Sequence, residues 1–163
     1  MRFLMALALA LLVAACSTSQ QGGTDASGTG TGTGASTGSQ TTGPAPDTQA
    51  YLNQTIGDRV FFDFDRYNVR SDMEGTVAAW ANWLQQNPSV SILIEGHCDE
   101  RGTRDYNYAL GARRSHEIKR ALMAMGVAER RIETTTFGKD RPAVLGSNEA
   151  AWAKNRRAVV VVR

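Results

Sequence analysis

Alternating and continuous apolar runs, separated by stretches of helical periodicity, organise residues 51–163. Asp58 to Phe64 alternates, with Val60, Phe62 and Phe64 on one face and Phe61 on the other, which predicts a strand. Ser71-Asp72-Met73-Glu74 has the form of a capping box, and Met73, Val77, Trp80 and Leu84 then recur at helical spacing. Asn87-Pro88 ends that helix, because the residue before a proline is pushed out of the helical region. Val90 to Glu95 predicts a second strand. A helix from about Asp105 to Met125 follows, with Leu110, Ile118, Leu122 and Met125 inward and Gly126 as its stop. Ile132 to Phe137 predicts a third strand, and Ser147 a cap for a short helix through Lys154. Arg157 to Val162 predicts a fourth, whose run Val159-Val160-Val161-Val162 implies burial on both faces. The order βαβαβ(α)β predicts an α+β fold, a two-layer sandwich with helices packed on a mixed sheet.

The remaining third of the chain has a different character. Residues 1–15 carry one basic residue, Arg2, and then run from Phe3 to Ala15 without a polar side chain. A membrane span needs about 20 apolar residues, so this shorter run fits the hydrophobic core of a secretory signal. It ends in Val13-Ala14-Ala15-Cys16, which resembles a bacterial lipobox: small residues suit a peptidase pocket, and the Cys16 thiol can carry diacylglycerol. Two acyl chains on the sulfur side and one on the new N-terminus would anchor stably, where a single chain is marginal. Ser17 follows in place of the aspartate associated with inner-membrane retention, so the outer membrane is the expected destination, with the domain on its periplasmic face.

Residues 17–50 are mostly Ser, Thr, Gly and Gln, with no large apolar side chain. Such a stretch cannot bury enough surface to offset the entropy of ordering, so a flexible tether is predicted. It would span roughly 30 Å as a coil and on the order of 110 Å when pulled straight. The expected organisation is a signal peptide at 1–15, a lipid-anchored linker at 16–50 and one folded domain at 51–163.

Composition adds mainly exclusions. The net charge of +2 is small, and Arg113-Arg114, Arg130-Arg131 and Arg156-Arg157 fall in three separate parts of the chain. A nucleic-acid binder usually gathers its basic residues in one stripe, so no nucleic-acid partner is expected. With Cys16 assigned to lipid, Cys98 is left alone and no disulfide framework follows.

The densest chemistry lies between Glu95 and Arg114, where a polar turn containing Gly96 and Gly102 joins strand to helix. Asp99 leaves the strand, and Arg114 stands on the helix about fifteen residues later. Such a pair suits a zwitterion: the carboxylate takes an ammonium, and the planar guanidinium grips a carboxylate through two parallel bonds. It suits equally a salt bridge closing the strand–helix corner, the commoner arrangement on spacing alone. Arg114 lies about nine residues, roughly 13 Å, beyond the expected helix start, so either the loop folds back along the helix or the helix starts later. His97, Cys98, Asp99 and His116 invite a metal reading. A continuing strand, however, would send His97 and Cys98 to opposite faces, and neither an H-x-x-x-H nor a C-x-x-C spacing occurs. No metal site and no cofactor beyond the lipid on Cys16 are expected. No activated nucleophile or pair of carboxylates around a water is evident, so a cell-wall enzyme is disfavoured.

Residues 96–114 resemble the signature of the OmpA-like peptidoglycan-binding domain family, G-H-x-D-x-x-G-x-x-x-Y-N-x-x-L-x-x-x-R. Phe61-Phe62-Asp63-Phe64-Asp65, Asp99-Glu100-Arg101-Gly102-Thr103, Phe137-Gly138-Lys139-Asp140-Arg141-Pro142 and Asn155-Arg156-Arg157-Ala158-Val159 resemble further segments of its lipid-anchored members. The resemblance implies that Asp99 and Arg114 hold the diaminopimelate of an uncross-linked stem peptide. Position by position it adds Phe64, Asp65, Arg101, Thr103 and Leu110 to the pocket. Phe64 and Leu110 would flank the aliphatic stem or serve as plain core, Thr103 and loop amides would meet carboxylate oxygens, and Asn107 would fix the loop. It further implies the periplasmic protein TolB as partner, and a place in the Tol–Pal system of envelope integrity and cell division. Stator-type and porin-type members carry a membrane helix or barrel strands ahead of the domain, where this chain is expected to carry only a tether.

Overall fold

The computed structural model describes residues 43–163; the expected signal peptide, the expected lipidation site Cys16 and the expected tether up to residue 42 lie outside the described residues. The folded part is built on four strands, β1 (Arg59–Phe61), β2 (Ile92–His97), β3 (Ile132–Gly138) and β4 (Arg157–Val162), in the spatial order β1-β4-β2-β3. β4 runs antiparallel to both neighbours, with Ile94 opposite Val160 and Val60 opposite Ala158, while β2 and β3 are parallel. The parallel pair is joined by the long helix α3 (Arg104–Ala124), as a parallel connection requires. With α2 (Glu74–Gln86) it packs against one face of the sheet, giving the α+β sandwich that the element order predicts.

The core is the apolar stripe of each element brought together: Val77, Trp80, Ala81 and Leu84 from α2, Ile118 and Leu122 from α3, and Val60, Ile92, Ile94, Ala158 and Val160 from the sheet. Strand β2 and helix α3 approach closely at Gly96 and Gly111. A Cβ on Gly96 would fall inside the Gly111 carbonyl, and one on Gly111 would meet the Thr136 hydroxyl. This contact seats α3 directly on the end of β2, beneath the loop that carries Asp99.

Several elements depart from expectation. β1 stops at Phe61 rather than Phe64, because its partner β4 begins at Arg157. After the Phe62 N–H has bonded the Arg156 carbonyl at 2.9 Å, no strand remains to pair with. Phe64 therefore leaves the core face and is 59% exposed, and Asp65 turns the chain at φ 56°. Ser71 caps nothing; Ser71–Met73 tightens into a 3-10 turn and α2 starts at Glu74 without a side-chain cap. The short helix α4 (Glu149–Asn155) is capped by Asn148, whose Oδ1 accepts from Ala151 N at 3.0 Å, not by Ser147.

Met125 faces outward, since α3 ends at Ala124. Gly126, at φ 89°, reverses the chain so that Val127 N–H reaches Leu122 O and Gly126 N–H reaches Met123 O, and Val127 takes the buried place. In β4 only Ala158 and Val160 are fully buried; Val159 and Val161, on the face away from the helices, are half-buried.

Within the stretch read as tether, residues 43–50 add contacts to the domain. Trp83 donates its indole N–H to the Pro46 carbonyl at 2.6 Å. A short helix, α1 (Gln49–Tyr51), continues as a π-helical turn over Leu52–Ile56. The Gln49 side-chain amide lies along the β4 edge beyond the end of β1, donating to Val160 O at 3.2 Å and accepting from Val162 N at 2.7 Å. One side chain thus stands in for a strand.

Candidate functional site

At the C-terminal end of β2 the loop Asp99–Thr103 folds back over the first turn of α3. Asn107 fixes it from below, donating to the carbonyls of Arg101 at 2.7 Å and Thr103 at 3.0 Å. Lys139 fixes it from the side through the carbonyls of Glu100 and Gly102. The helix starts at Arg104, so of the two ways to bring Asp99 near Arg114 the chain uses the folded-back loop. The result is a pocket of about 160 Å³ lined by Phe64, Asp65, Cys98, Asp99, Arg101, Gly102, Tyr106, Asn107, Leu110, Arg114 and Arg156.

Asp99 and Arg114 share this pocket without pairing, so the strand–helix salt bridge does not form. Arg114 is fully buried, and its guanidinium donates to three backbone carbonyls: His97 at 2.8 Å, Arg66 at 2.9 Å and Asp63 at 3.2 Å. A guanidinium has five N–H donors, so two remain. Burial lowers its pKa from the usual arginine value, with the nearby Asp99 carboxylate opposing that shift. It is a buried cation held by dipoles, with donors to spare for an anion.

Asp99 is 4% exposed and is held by two arginines. Arg101 reaches both carboxylate oxygens, at 3.2 and 2.6 Å, and adds its backbone N–H at 3.1 Å; Arg156 reaches Oδ2 at 3.3 Å. Burial acts to raise the Asp99 carboxyl, but the Arg101 bonds and then Arg156 outweigh it and hold it below the usual carboxylate range. Arg156 is itself anchored, to Phe62 O at 3.0 Å and Glu149 Oε1 at 2.6 Å. The apolar walls are Phe64 and Leu110. Leu110 is 5% exposed and belongs to both core and pocket, whereas Phe64 stands at the mouth.

Of the expected site residues, seven line the pocket: Phe64, Asp65, Asp99, Arg101, Asn107, Leu110 and Arg114. Asp65 accepts from the Tyr106 hydroxyl across the rim. Thr103 lies outside the lining, and its hydroxyl caps α3 by accepting from Tyr106 N at 3.3 Å. Asn107 acts on the loop, as its side-chain chemistry suggests. The structure adds Arg156, Tyr106 and Cys98 to the lining, and Glu149 and Trp152 behind it. Arg156 sits inside one of the tail segments quoted above. Glu149 and Trp152 could be found only from the i,i+3 spacing that places them on one face of α4.

The Cys98 thiol is buried, donates to the Asn107 carbonyl at 3.3 Å, and is pushed by burial up to about 11, which leaves it protonated. The His97 ring packs near Phe137, whereas the Cys98 thiol meets the Asn107 carbonyl. Among the described residues no group of three or more His, Cys, Asp or Glu is placed to hold a metal ion.

Comparison with known proteins follows the same lines. The OmpA family pattern matches residues 61–156, a span containing the whole pocket. A peptidoglycan-associated lipoprotein of Mesorhizobium japonicum is 44% identical over 125 residues, 77% of this chain and 72% of that one. One from Rhizobium meliloti is 40% identical over 159 residues, covering 98% of this chain and 86% of its own length. The crystal structure of the peptidoglycan-associated lipoprotein from Burkholderia pseudomallei superposes with a TM-score of 0.65 at 40% identity, covering 69% of this chain and 98% of that one. The C-terminal domain of Helicobacter pylori MotB, at 21% identity and a TM-score of 0.60, shares the fold. A family pattern spanning most of the folded part, with relatives this alike along nearly the whole chain, shows that the chain belongs to the OmpA family, among the peptidoglycan-associated lipoproteins.

Proposed function

We propose that this protein is an outer-membrane lipoprotein that binds peptidoglycan non-covalently through diaminopimelate, tethering membrane to wall without catalysing a reaction. The observation that carries the reading is one pocket holding a buried carboxylate and, unpaired with it, a buried guanidinium with free donors. The free end of a diaminopimelate side chain bears an ammonium and a carboxylate on one carbon. Asp99 would take the ammonium and Arg114 the carboxylate through a bidentate pair, with Phe64 and Leu110 on the aliphatic stem. Lysine lacks the second carboxylate and would leave Arg114 unused, which supplies discrimination. Asp65 and Arg101 complete the rim, and Thr103 and Asn107 hold the loop. Cys16 would carry the lipid. Kinship with the peptidoglycan-associated lipoproteins supports TolB as a second partner and a place in the Tol–Pal system at cell division.

The test is a pull-down on purified sacculi. Retention is expected to be competed by soluble meso-diaminopimelate and not, at the same concentration, by lysine whose α-amino and α-carboxyl groups are both blocked as they are within a stem peptide; equal competition by both overturns the zwitterion reading.

A further inference from the structure

In the structure the seat assigned above to the ligand's ammonium is taken. Arg101 spans both oxygens of Asp99, and its guanidinium lies over two aromatic rings, 4.0 Å from the centroid of Phe64 and 4.0 Å from that of Trp152. Trp152 is held in turn by its indole N–H, which donates to Glu100 Oε1 at 3.0 Å. Asp99 cannot reach a new cation while this guanidinium covers it. Arg156 cannot yield, because it is buried and tied to Phe62 O and Glu149. Arg101 can, since its side chain is 30% exposed. A second seat stands ready. Glu149 uses Oε1 on Arg156, while its Oε2 lies 4.0 Å from the same Arg101 Nη2 that holds Asp99 at 2.6 Å.

Resting on the zwitterion reading, we propose that Arg101 is an internal competitor for Asp99: the ligand's ammonium displaces it, and it passes to Glu149 within the Phe64–Trp152 slot. The move exchanges one carboxylate for a second whose oxygen lies 4.0 Å from the same Nη2, so it costs little, and stacking on the rings is kept throughout. Arg101 then sets affinity from inside the site. It lowers the affinity for every ammonium, and it keeps Asp99 neutralised when no ligand is present. Trp152 and Glu149 act through Arg101, so they are positioning residues.

The test is calorimetric titration of the full chain with meso-diaminopimelate. Arg101→Gln removes the competitor and is expected to tighten binding about five- to tenfold. Glu149→Gln removes the second seat while keeping an acceptor for Arg156, and is expected to weaken binding about threefold. In the Arg101→Gln background the Glu149→Gln change loses its effect, since the seat matters only when Arg101 must use it. A thermal melt within a few degrees of wild type qualifies each variant. If Arg101 is an ordinary ligand contact, Arg101→Gln weakens binding, and that result overturns the proposal. Equal effects of Glu149→Gln with and without Arg101 overturn it too. Wild type failing to bind diaminopimelate at all would instead sink the zwitterion reading, on which the competitor rests.

Discussion

Replacing Arg114 tests the scaffold and the site at once. Its guanidinium ties the Asp63–Arg66 segment, which carries Phe64 and Asp65, to the end of β2 through three carbonyl bonds of 2.8 to 3.2 Å. Hydrogen bonds to a charged group contribute roughly 1.5–3 kcal/mol each, and a buried carbonyl left without a donor costs on the order of 1–3 kcal/mol. The Asp63–Arg66 segment is exposed and can turn its carbonyls to water, so Arg114→Ala is expected to cost about 4 kcal/mol rather than the full sum. That is a large part of the 5–15 kcal/mol typical of a domain, and corresponds to a fall in Tm of about 15 °C. Arg114→Lys keeps the charge but cannot present a fork; it should lose about half as much stability while losing the bidentate grip on a ligand carboxylate. Thermal melts followed by circular dichroism give the first quantity, and diaminopimelate titration of Arg114→Lys, well below its Tm, gives the second. An Arg114→Ala variant melting within about 3 °C of wild type would refute the claim that the three carbonyls depend on it.

Three further outcomes are expected. His97 is 2% exposed, neither ring nitrogen has a hydrogen-bond partner, and burial together with Arg157 and Arg141 pushes its pKa down to about 4. An unfolded histidine titrates near 6.5, so the contribution is complete above that pH and is lost as pH falls through about 4; melts from pH 7 to 3.5 should show on the order of 2–3 kcal/mol of acid destabilisation that His97→Gln removes, and parallel curves would refute it. Gly96→Ala places a methyl into the Gly111 backbone, where neither partner can yield, so a loss of about 3 kcal/mol or more is expected in urea unfolding; a change below about 1 kcal/mol would show that strand and helix part easily. Cys16→Ser is expected to abolish incorporation of radiolabelled palmitate and leave unprocessed precursor, and equal labelling of the variant would remove the lipid anchor from the proposed function.

How much of this was legible in the sequence depends on the range of the interactions involved. The helices and β2 to β4 were readable because their burial repeats locally, and Asp99, Arg114 and the loop between them lie within one continuous stretch. β1 was overextended because alternation in Asp58–Phe64 says nothing of where the partner strand begins. The roles of Arg156, Glu149 and Trp152 come from contacts with Asp99, Glu100 and Arg101 that span 48 to 57 residues, which no local pattern announces. Met125 and Ser147 were misplaced by a residue or so at helix ends, where capping geometry rather than periodicity decides. Gln49 left no trace at all: a single polar side chain substituting for a strand resembles any surface glutamine.

That glutamine has a mechanical consequence. It grips β4 at Val160 and Val162, whereas Asp99 and Arg156 sit at the other end of the same strand pair, beyond the Gly96–Ala158 register. Under the proposed tethering role, a pull on the linker enters near Gln49 and leaves through the ligand at Asp99, along the strands rather than across them. Hydrogen bonds between antiparallel strands lie perpendicular to that line, so the β2–β4 ladder is loaded in shear, with all its bonds sharing the force instead of opening one after another. Membrane and wall would then be joined through the direction in which this sheet resists most.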